Sequence, residues 1–333
     1  MIQVGVVGYG YWGPNIVRNF NAVDDCKVTR VCDSNTQSLA NVTQDYPSIQ
    51  VTENVDDILG DPEIGAVAIV TPVSTHYELA SNALRNGKNV FVEKPFTQTT
   101  SQAEELINLA EQKNVKIMVD HTFLFCGSVR KIKELVDAGE IGSIYYYDST
   151  RINLGRFQKD VNVVWDLAPH DFAIMLHVLA DRPEGVRVFG KAHVNHMEDV
   201  AHILVYFPNN LMASFNVNWL SPVKIRSTMI GGDKRMLLWN DIAPDEKIKV
   251  YDKGIKERTK KEIRELMINY RLGDMWSPKI DQREALFVAI SHFVECIIEN
   301  KKNASDGKSG LEVVRLLHAC EKSIRSNGGL VLL

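Results

Sequence analysis

Long apolar runs are missing from this 333-residue chain. Its most apolar stretches, such as Gly65 to Val70, have strand length and fall far short of the roughly 20 residues that span a bilayer, so no membrane-crossing helix is expected. Charge of one sign is missing too. The 38 basic and 42 acidic side chains leave a net charge of −4, a field too weak to draw nucleic acid or an anionic membrane surface. Cysteine is sparse and unpatterned: Cys26, Cys32, Cys126, Cys296 and Cys320 form an odd set with no C-x-x-C pair. That argues against a disulfide framework or a zinc knuckle and for reduced, buried thiols. Met1 to Gly8 has no basic n-region ahead of an apolar segment, so a secretory signal is not expected and the cytoplasm is. Internal repeats and low-complexity tracts are also missing.

What is present is enough apolar matter, 45% of the residues, to give two domains a core each. Short β-branched runs alternate with helix-period segments over residues 1–120, as a doubly wound parallel sheet requires. The expected strands are Gln3–Val7, Val28–Cys32, Ala66–Val70, Val90–Glu93 and Lys116–Val119. The expected helices include Thr75–Arg85 and Ser101–Lys113, the latter with a serine cap. After a further helix over Val129–Ala138 the runs lengthen and alternate, at Ile144–Arg151, Val186–His193, His202–Phe207, Leu211–Trp219 and Ile225–Ile230. These predict a second α+β domain over residues 121–333 with a largely antiparallel open sheet. Helices Asp166–Leu179, Gln282–Glu299 and Leu311–Ser326 either cover that sheet or pack back on the first domain. The charged stretch Lys253–Arg264 reads as a solvated loop or helix face.

Gly8-Tyr9-Gly10-Tyr11-Trp12-Gly13 follows an apolar strand and opens a helix at Pro14, the context in which G-x-G-x-x-G signifies a dinucleotide site. Gly8 suits a tight turn, Gly10 a close approach of backbone to pyrophosphate, and Gly13 close helix–strand packing. Asp33 lies 20 residues beyond Gly13, where its carboxylate can accept from ribose hydroxyls or cap the next helix. No Arg or Lys occurs in Ser34 to Ser38 to neutralise a 2′-phosphate. NAD is therefore expected over NADP.

Glu93-Lys94-Pro95 ends the fourth expected strand, and doubly wound sheets bind ligands outside the carboxyl ends of their strands. An ammonium there can stabilise a substrate oxygen as it gains negative charge; a solvated surface lysine is the alternative. Asp166 and His170 are four apart at an expected helix start, so both can point one way, with His170 moving a hydroxyl proton and Asp166 orienting it or tuning Lys94. The alternative is an N-cap aspartate and a satisfied core histidine. The other eight histidines show no metal-ligand spacing, and no catalytic metal is expected.

Taken in order, the glycine fingerprint, Glu93-Lys94-Pro95 and the Asp166/His170 pair resemble the glucose-fructose oxidoreductase / inositol dehydrogenase (Gfo/Idh/MocA) family over nearly the whole chain. The resemblance implies Lys94, Asp166 and His170 as the catalytic group and a homodimer or homotetramer through the open sheet. Gly10 to Asn15, Thr71-Pro72, His121 to Leu124, Arg151 to Gly155 and Trp165 to Asp171 are similar to the branch acting on nucleotide-linked sugars in surface-polysaccharide biosynthesis. That branch includes UDP-N-acetylglucosamine and UDP-N-acetylglucosaminuronate 3-dehydrogenases. Cys126-Gly127 departs from the Asn-Pro common there. The resemblance implies Gly8, Gly10, Tyr11, Trp12, Gly13, Asp33, Ser34, Thr71, Pro72, His76, Glu93 and Lys94 along the NAD cleft. It implies Lys94, Arg151, Asn153, Arg156 and His170 toward a sugar or its diphosphate. A ketosugar reductase, an inositol or free-sugar dehydrogenase, and a dinucleotide-binding regulator without turnover are the competing readings.

Overall fold

A computed structural model describes residues 1–155, 157, 161–255 and 270–333. The chain divides into two compact units, Met1–Cys126 with Arg283–Arg315 and Gly127–Gln282 with Leu316–Leu333. In place of one boundary after residue 120, it leaves the first unit after Cys126, re-enters it at Arg283 and leaves again after Arg315.

The first unit is built on β1 (Ile2–Val7), β2 (Cys26–Cys32), β3 (Gln50–Thr52), β4 (Ile64–Ile69), β5 (Asn89–Val92) and β6 (Ile117–Val119), all paired in parallel. Their order, β3-β2-β1-β4-β5-β6, reverses direction between β1 and β4, the switch point at which doubly wound sheets open a ligand crevice. The strands are apolar on both faces because helices cover both. The helices between them are α1 (Gly13–Asn21), α2 (Thr36–Asp45), α3 (Asp56–Leu59), α4 (Val73–Arg85) and α5 (Thr100–Lys113). Phe20, Phe91 and Phe293 meet edge to face at centroid distances of 5.7 to 6.4 Å, joining α1 and β5 to the returning helix Ala285–Ile298. Leu311 and Val314, from helix Gly307–Arg325, enter the same apolar cluster as Val92, Phe96 and Val119.

Helix α5 starts one turn-position before the expected serine. Thr99 is its cap, accepting from Gln102 N–H while the Gln102 side chain answers the Thr99 N–H, a reciprocal box worth about 1 kcal/mol. The three-residue β3 escaped expectation because it is short and carries no buried side chain.

In the second unit, α6 (Gly127–Asp137) is followed by β7 (Ile144–Leu154), α7 (Val163–Val178), β8 (Gly185–Lys191), β9 (Val200–Tyr206), β10 (Met212–Asn218) and β11 (Leu220–Gly232). Beyond the expected strands, β12 (Met236–Asn240) and β13 (Ile248–Tyr251) extend the sheet. The short pair β14 (Gly254–Ile255) and β15 (Tyr270–Arg271) stands apart, while β16 (Met275–Trp276) and β17 (Val331–Leu332) edge the main sheet. Among the described residues the sheet has nine strands in the order β16-β13-β12-β11-β7-β10-β9-β8-β17, antiparallel throughout except for the central β7/β10 pair. Tyr147, Ser149 and Arg151 alternate inward along β7, and Phe172 of α7 meets Phe215 of β10 edge to face at 5.1 Å. Beyond Ile255 the charged stretch Lys253–Arg264 lies outside the described residues.

Candidate active site

The fingerprint loop leaves β1 through Gly8, at φ +97°, where a Cβ would stand 2.5 Å from the Val70 carbonyl oxygen; only glycine makes this turn. A Cβ on Gly10 would meet nothing within 4 Å. The protein's own packing therefore does not require glycine there, whereas close approach of a pyrophosphate does. No side chain caps α1, and the backbone N–H groups of Gly10, Tyr11 and Trp12 meet no acceptor among the described residues. An uncapped helix start beside a bare backbone fits a dinucleotide phosphate. Tyr11 and Trp12 stand exposed beside it, edge to face at 5.6 Å.

Asp33, just past β2, steadies this loop. Its Oδ2 accepts from Tyr9 N–H at 2.6 Å and its Oδ1 from Asn35 N–H at 2.7 Å. It is not the cap of α2; Asn35 fills that position, accepting from Gln37 and Ser38 N–H. Each carboxylate oxygen keeps a lone pair for a ribose hydroxyl. Ser34 is exposed next to it.

After β4, Thr71 Oγ1 pairs with Thr75 Oγ1 at 2.7 Å and Pro72 precedes α4. His76, expected along the cofactor cleft, is 1% exposed and faces the Thr71 carbonyl through Nε2 (2.8 Å) and the Pro95 carbonyl through Nδ1 (2.9 Å). Both ring nitrogens are spent on backbone. The residue ties the loop after β4 to the one after β5, and burial lowers its pKa.

Strands β5 and β6 run in register up to Val92 beside Val119, and Asp120 N–H donates to the Val92 carbonyl, so Glu93-Lys94 and Asp120-His121 follow adjacent strand ends. Thr122 Oγ1 donates to Asp120 Oδ1 at 2.6 Å, and Lys94 N–H donates to Glu93 Oε2 at 3.2 Å. Burial raises both carboxyls above the usual range, with Lys94 opposing the rise. His121 is 1% exposed, neither ring nitrogen has a hydrogen-bond partner among the described residues, and burial together with the Lys94 charge brings its pKa down to about 3. Asp120 and His121 were not expected as site residues. The signal that finds them is register: they lie one and two residues past the end of β6, as Glu93 and Lys94 do past the end of β5.

In the second unit, α7 opens at an Asn162 cap, not at Asp166, which sits in the first turn with His170 one turn on. Asp166 Oδ2 accepts from the indole Nε1 of Trp219 at 3.1 Å. Trp219 is fully buried and anchored through its backbone to Gly155 N–H and the Asp199 carbonyl, and a Cβ on Gly155 would stand 2.2 Å from its ring. Nothing in the local sequence flags that pairing, because it joins positions 53 apart.

Arg151 corrects an expectation. Its side chain is 4% exposed and forks onto Asp171, Nε to Oδ2 at 2.7 Å and a terminal nitrogen to Oδ1 at 2.9 Å. The inward alternation of β7 carries it under α7, so it braces the helix that bears His170 and does not present a free guanidinium to a diphosphate. Asn153, two residues on and on the same face, is half-buried. Arg156 lies outside the described residues.

Thus Gly8 to Gly13, Asp33, Thr71 to His76 and Glu93-Lys94 belong to the first unit, and Arg151, Asn153, Asp166 and His170 to the second. Among the described residues no three His, Cys, Asp or Glu side chains cluster as a metal site, and no helix is long and apolar enough to cross a membrane.

Against known proteins, residues 2–121 match the model of the GFO/IDH/MocA oxidoreductase family, NAD-binding Rossmann fold, and residues 129–238 match a GFO/IDH/MocA C-terminal domain. The UDP-N-acetylglucosamine 3-dehydrogenase of Acidithiobacillus ferrooxidans is 28% identical over 214 residues, 64% of this chain and 66% of that one. The scyllo-inositol 2-dehydrogenase (NADP(+)) IolW of Bacillus subtilis is 29% identical over 169 residues, 49% of this chain and 44% of that one. Across the curated relatives it matches first, the chain spans between 40% and 66% of their length. A solved structure of the Acidithiobacillus ferrooxidans 3-dehydrogenase GnnA superposes with a TM-score of 0.84 over 98% of both chains at 23% identity, a likeness of fold. With both domain models matched in order along 230 of its residues, 120 and 110 respectively, this chain belongs to the GFO/IDH/MocA oxidoreductase family.

Proposed function

We propose that the protein is an NAD-dependent dehydrogenase acting on a sugar hydroxyl, and that its substrate is a UDP-linked N-acetylated sugar oxidised at C3. The observation that carries the reading is that Lys94 lies just past the carboxyl end of β5, while Asp166 and His170 share one face of α7. Similarity to a UDP-N-acetylglucosamine 3-dehydrogenase over two thirds of that chain supports the substrate class.

The loop Gly8–Gly13, Asp33 and the Thr71-Pro72 turn are the residues that would hold NAD, and Asp33 disfavours a 2′-phosphate. NAD+ when bound supplies the acceptor for the hydride that leaves the carbinol carbon. The Lys94 ammonium stabilises the oxygen as it loses its proton, and an imidazole nitrogen of His170 takes that proton. Asp166, held by Trp219, orients His170. In the reverse direction the same groups return the proton to the oxygen.

A homodimer or homotetramer through the open sheet belongs to the same proposal. Met212 and Met229 are exposed on its outer rank, beside Tyr146 and Asp148 in register, which supports a covered face. The IolW likeness favours inositol oxidation as the second reading. Assay of purified protein with NAD+ against UDP-N-acetylglucosamine, the free sugar and scyllo-inositol tests it. NADH formation with the nucleotide sugar, located at C3 by product analysis, is the expected result; turnover of inositol alone overturns the substrate.

A further inference from the structure

The hairpin that joins β8 to β9 closes around one buried carboxylate. Asp199 has no solvent exposure and accepts from three donors: Oδ1 from His193 Nδ1 at 2.7 Å, and Oδ2 from the N–H groups of His193 and Val194 at 2.8 and 2.9 Å. Burial opposes the charge, the donors outweigh it, and the carboxyl is held below the usual carboxylate range. Both backbone groups of Asp199 are bonded as well. Its N–H donates to the Lys191 carbonyl at 3.0 Å and its carbonyl accepts from Trp219 N–H at 2.9 Å. Trp219 is the residue whose indole holds Asp166. Glu198, the residue before, holds the start of α7: its side chain accepts from the Asn162 amide at 2.8 Å and its carbonyl from Val163 N–H at 2.9 Å. One short stretch of backbone therefore carries both the cap of the helix bearing Asp166 and His170 and the indole that fixes the Asp166 rotamer, all within the second unit.

We infer that Asp199, clasped by His193, is a positioning residue of the catalytic group: it sets the place of Trp219 and of the first turn of α7, and so the aim of Asp166. Having no exposed surface, it acts through those two elements and not on the substrate. A carboxylate that only folded its own hairpin would cost stability when removed and leave the bond between Asp166 and Trp219 as it is. The role of Asp199 rests on the reading of Asp166 and His170 as catalytic.

The first readout needs no substrate. In protein labelled with ¹⁵N at tryptophan, the indole N–H resonance of Trp219, assigned by its loss in Trp219→Phe, reports the bond to Asp166, and Asp166→Ala gives its position with the bond broken. Asp199→Asn sets an amide N–H against a donor. His193→Ala removes one donor from a half-exposed side chain, so a fold that rejects the first variant still yields the second. Each should move the resonance toward its Asp166→Ala position. His193→Asn, whose amide nitrogen takes the place of Nδ1, should return it. Turnover should follow, kcat falling about tenfold in Asp199→Asn and about threefold in His193→Ala while NAD+ affinity stays within about twofold, because a small misplacement of a catalytic group costs rate before it costs binding. An unmoved Trp219 resonance in the folded variants overturns the inference whether or not any sugar is turned over, and so does a moved resonance with kcat unchanged. Equal losses in His193→Ala and His193→Asn overturn the clasp. A moved resonance in protein that turns over no sugar supports the hold of Asp199 on Asp166 and overturns the proposed function instead.

Discussion

The indole Nε1 of Trp219 donates to Asp166 Oδ2 at 3.1 Å, from a ring with no solvent exposure. A hydrogen bond to a charged acceptor contributes about 1.5–3 kcal/mol, enough to hold one carboxylate rotamer. Trp219→Phe should keep most of the packing and lower kcat by about three- to tenfold. In an Asp166→Ala background the same substitution should cost almost nothing. Equal losses in both backgrounds, measured as a double-mutant cycle, would show that Trp219 serves the fold alone.

Arg151 should behave as a brace and not as a substrate contact. Breaking a buried pair leaves an uncompensated charge, so Arg151→Met should destabilise by about 3–5 kcal/mol in denaturant unfolding. Replacing both partners, Arg151→Met with Asp171→Leu, should recover most of that. A variant of near-native stability with a raised KM for the sugar would return Arg151 to the substrate.

How far the site was legible follows from where its information resides. Gly8 to Gly13 and Asp33 announce themselves locally, because a tight turn and a helix start demand particular residues at fixed spacing. Arg151 was misread although its strand was found: the alternation that buries Tyr147 and Ser149 buries it too, and Asp171, its partner, was visible only as the neighbour of His170. Asp120 and His121 follow from strand register, which a single sequence does not state. Trp219 and Asp166 meet by tertiary folding alone. β3, β12 and β13 escaped because three to five residues of strand carry little periodicity.

Asp33 has two duties, holding Tyr9 N–H and meeting the ribose. Asp33→Asn loses the charge and one acceptor, so NAD+ affinity should fall about tenfold, the scale of a charge-assisted hydrogen bond, while NADP+ affinity falls less or rises. Calorimetric titration with both cofactors checks this. Equal loss for both would mean that Asp33 acts only through the loop.

His121 predicts a pH dependence of stability. Its pKa is about 3 in the fold against 6.5 in an unfolded chain, so the unfolded state binds the extra proton over that window. A depressed pKa means that the stability it contributes is present above 6.5 and is lost as pH falls toward 3. Glu93 and Asp120, both raised, act with the opposite sign and lose stability as pH rises through their range. His121→Leu removes the first effect and keeps the second. Between pH 6 and 4 its stability should fall less steeply than that of the wild type, by up to about 1.4 kcal/mol per pH unit. Parallel profiles by urea unfolding would show that the fold does not depress His121.

The sharpest test of the proposed chemistry pairs Lys94 with His170. A positioned oxyanion donor contributes about a hundredfold or more, so Lys94→Ala should lower turnover by at least that while leaving NAD+ affinity near wild type. A general base contributes roughly 10² to 10⁴, so His170→Asn should lose that much rate with little change in melting temperature. Were His170 only a core histidine, the same substitution would lower the melting temperature and spare the turnover of folded protein. In the oxidative direction a base that must be neutral gives a rate rising with pH through its pKa, and removing it should flatten that limb. The limb belongs to whichever groups are coupled, so the single variants alone do not assign it. The double variant does. If Lys94 and His170 serve one transition state, Lys94→Ala with His170→Asn should be no slower than the worse single, because the second loss removes a group already disabled. Losses that add in log rate would mean that the two residues act independently and that the joint site proposed here is wrong.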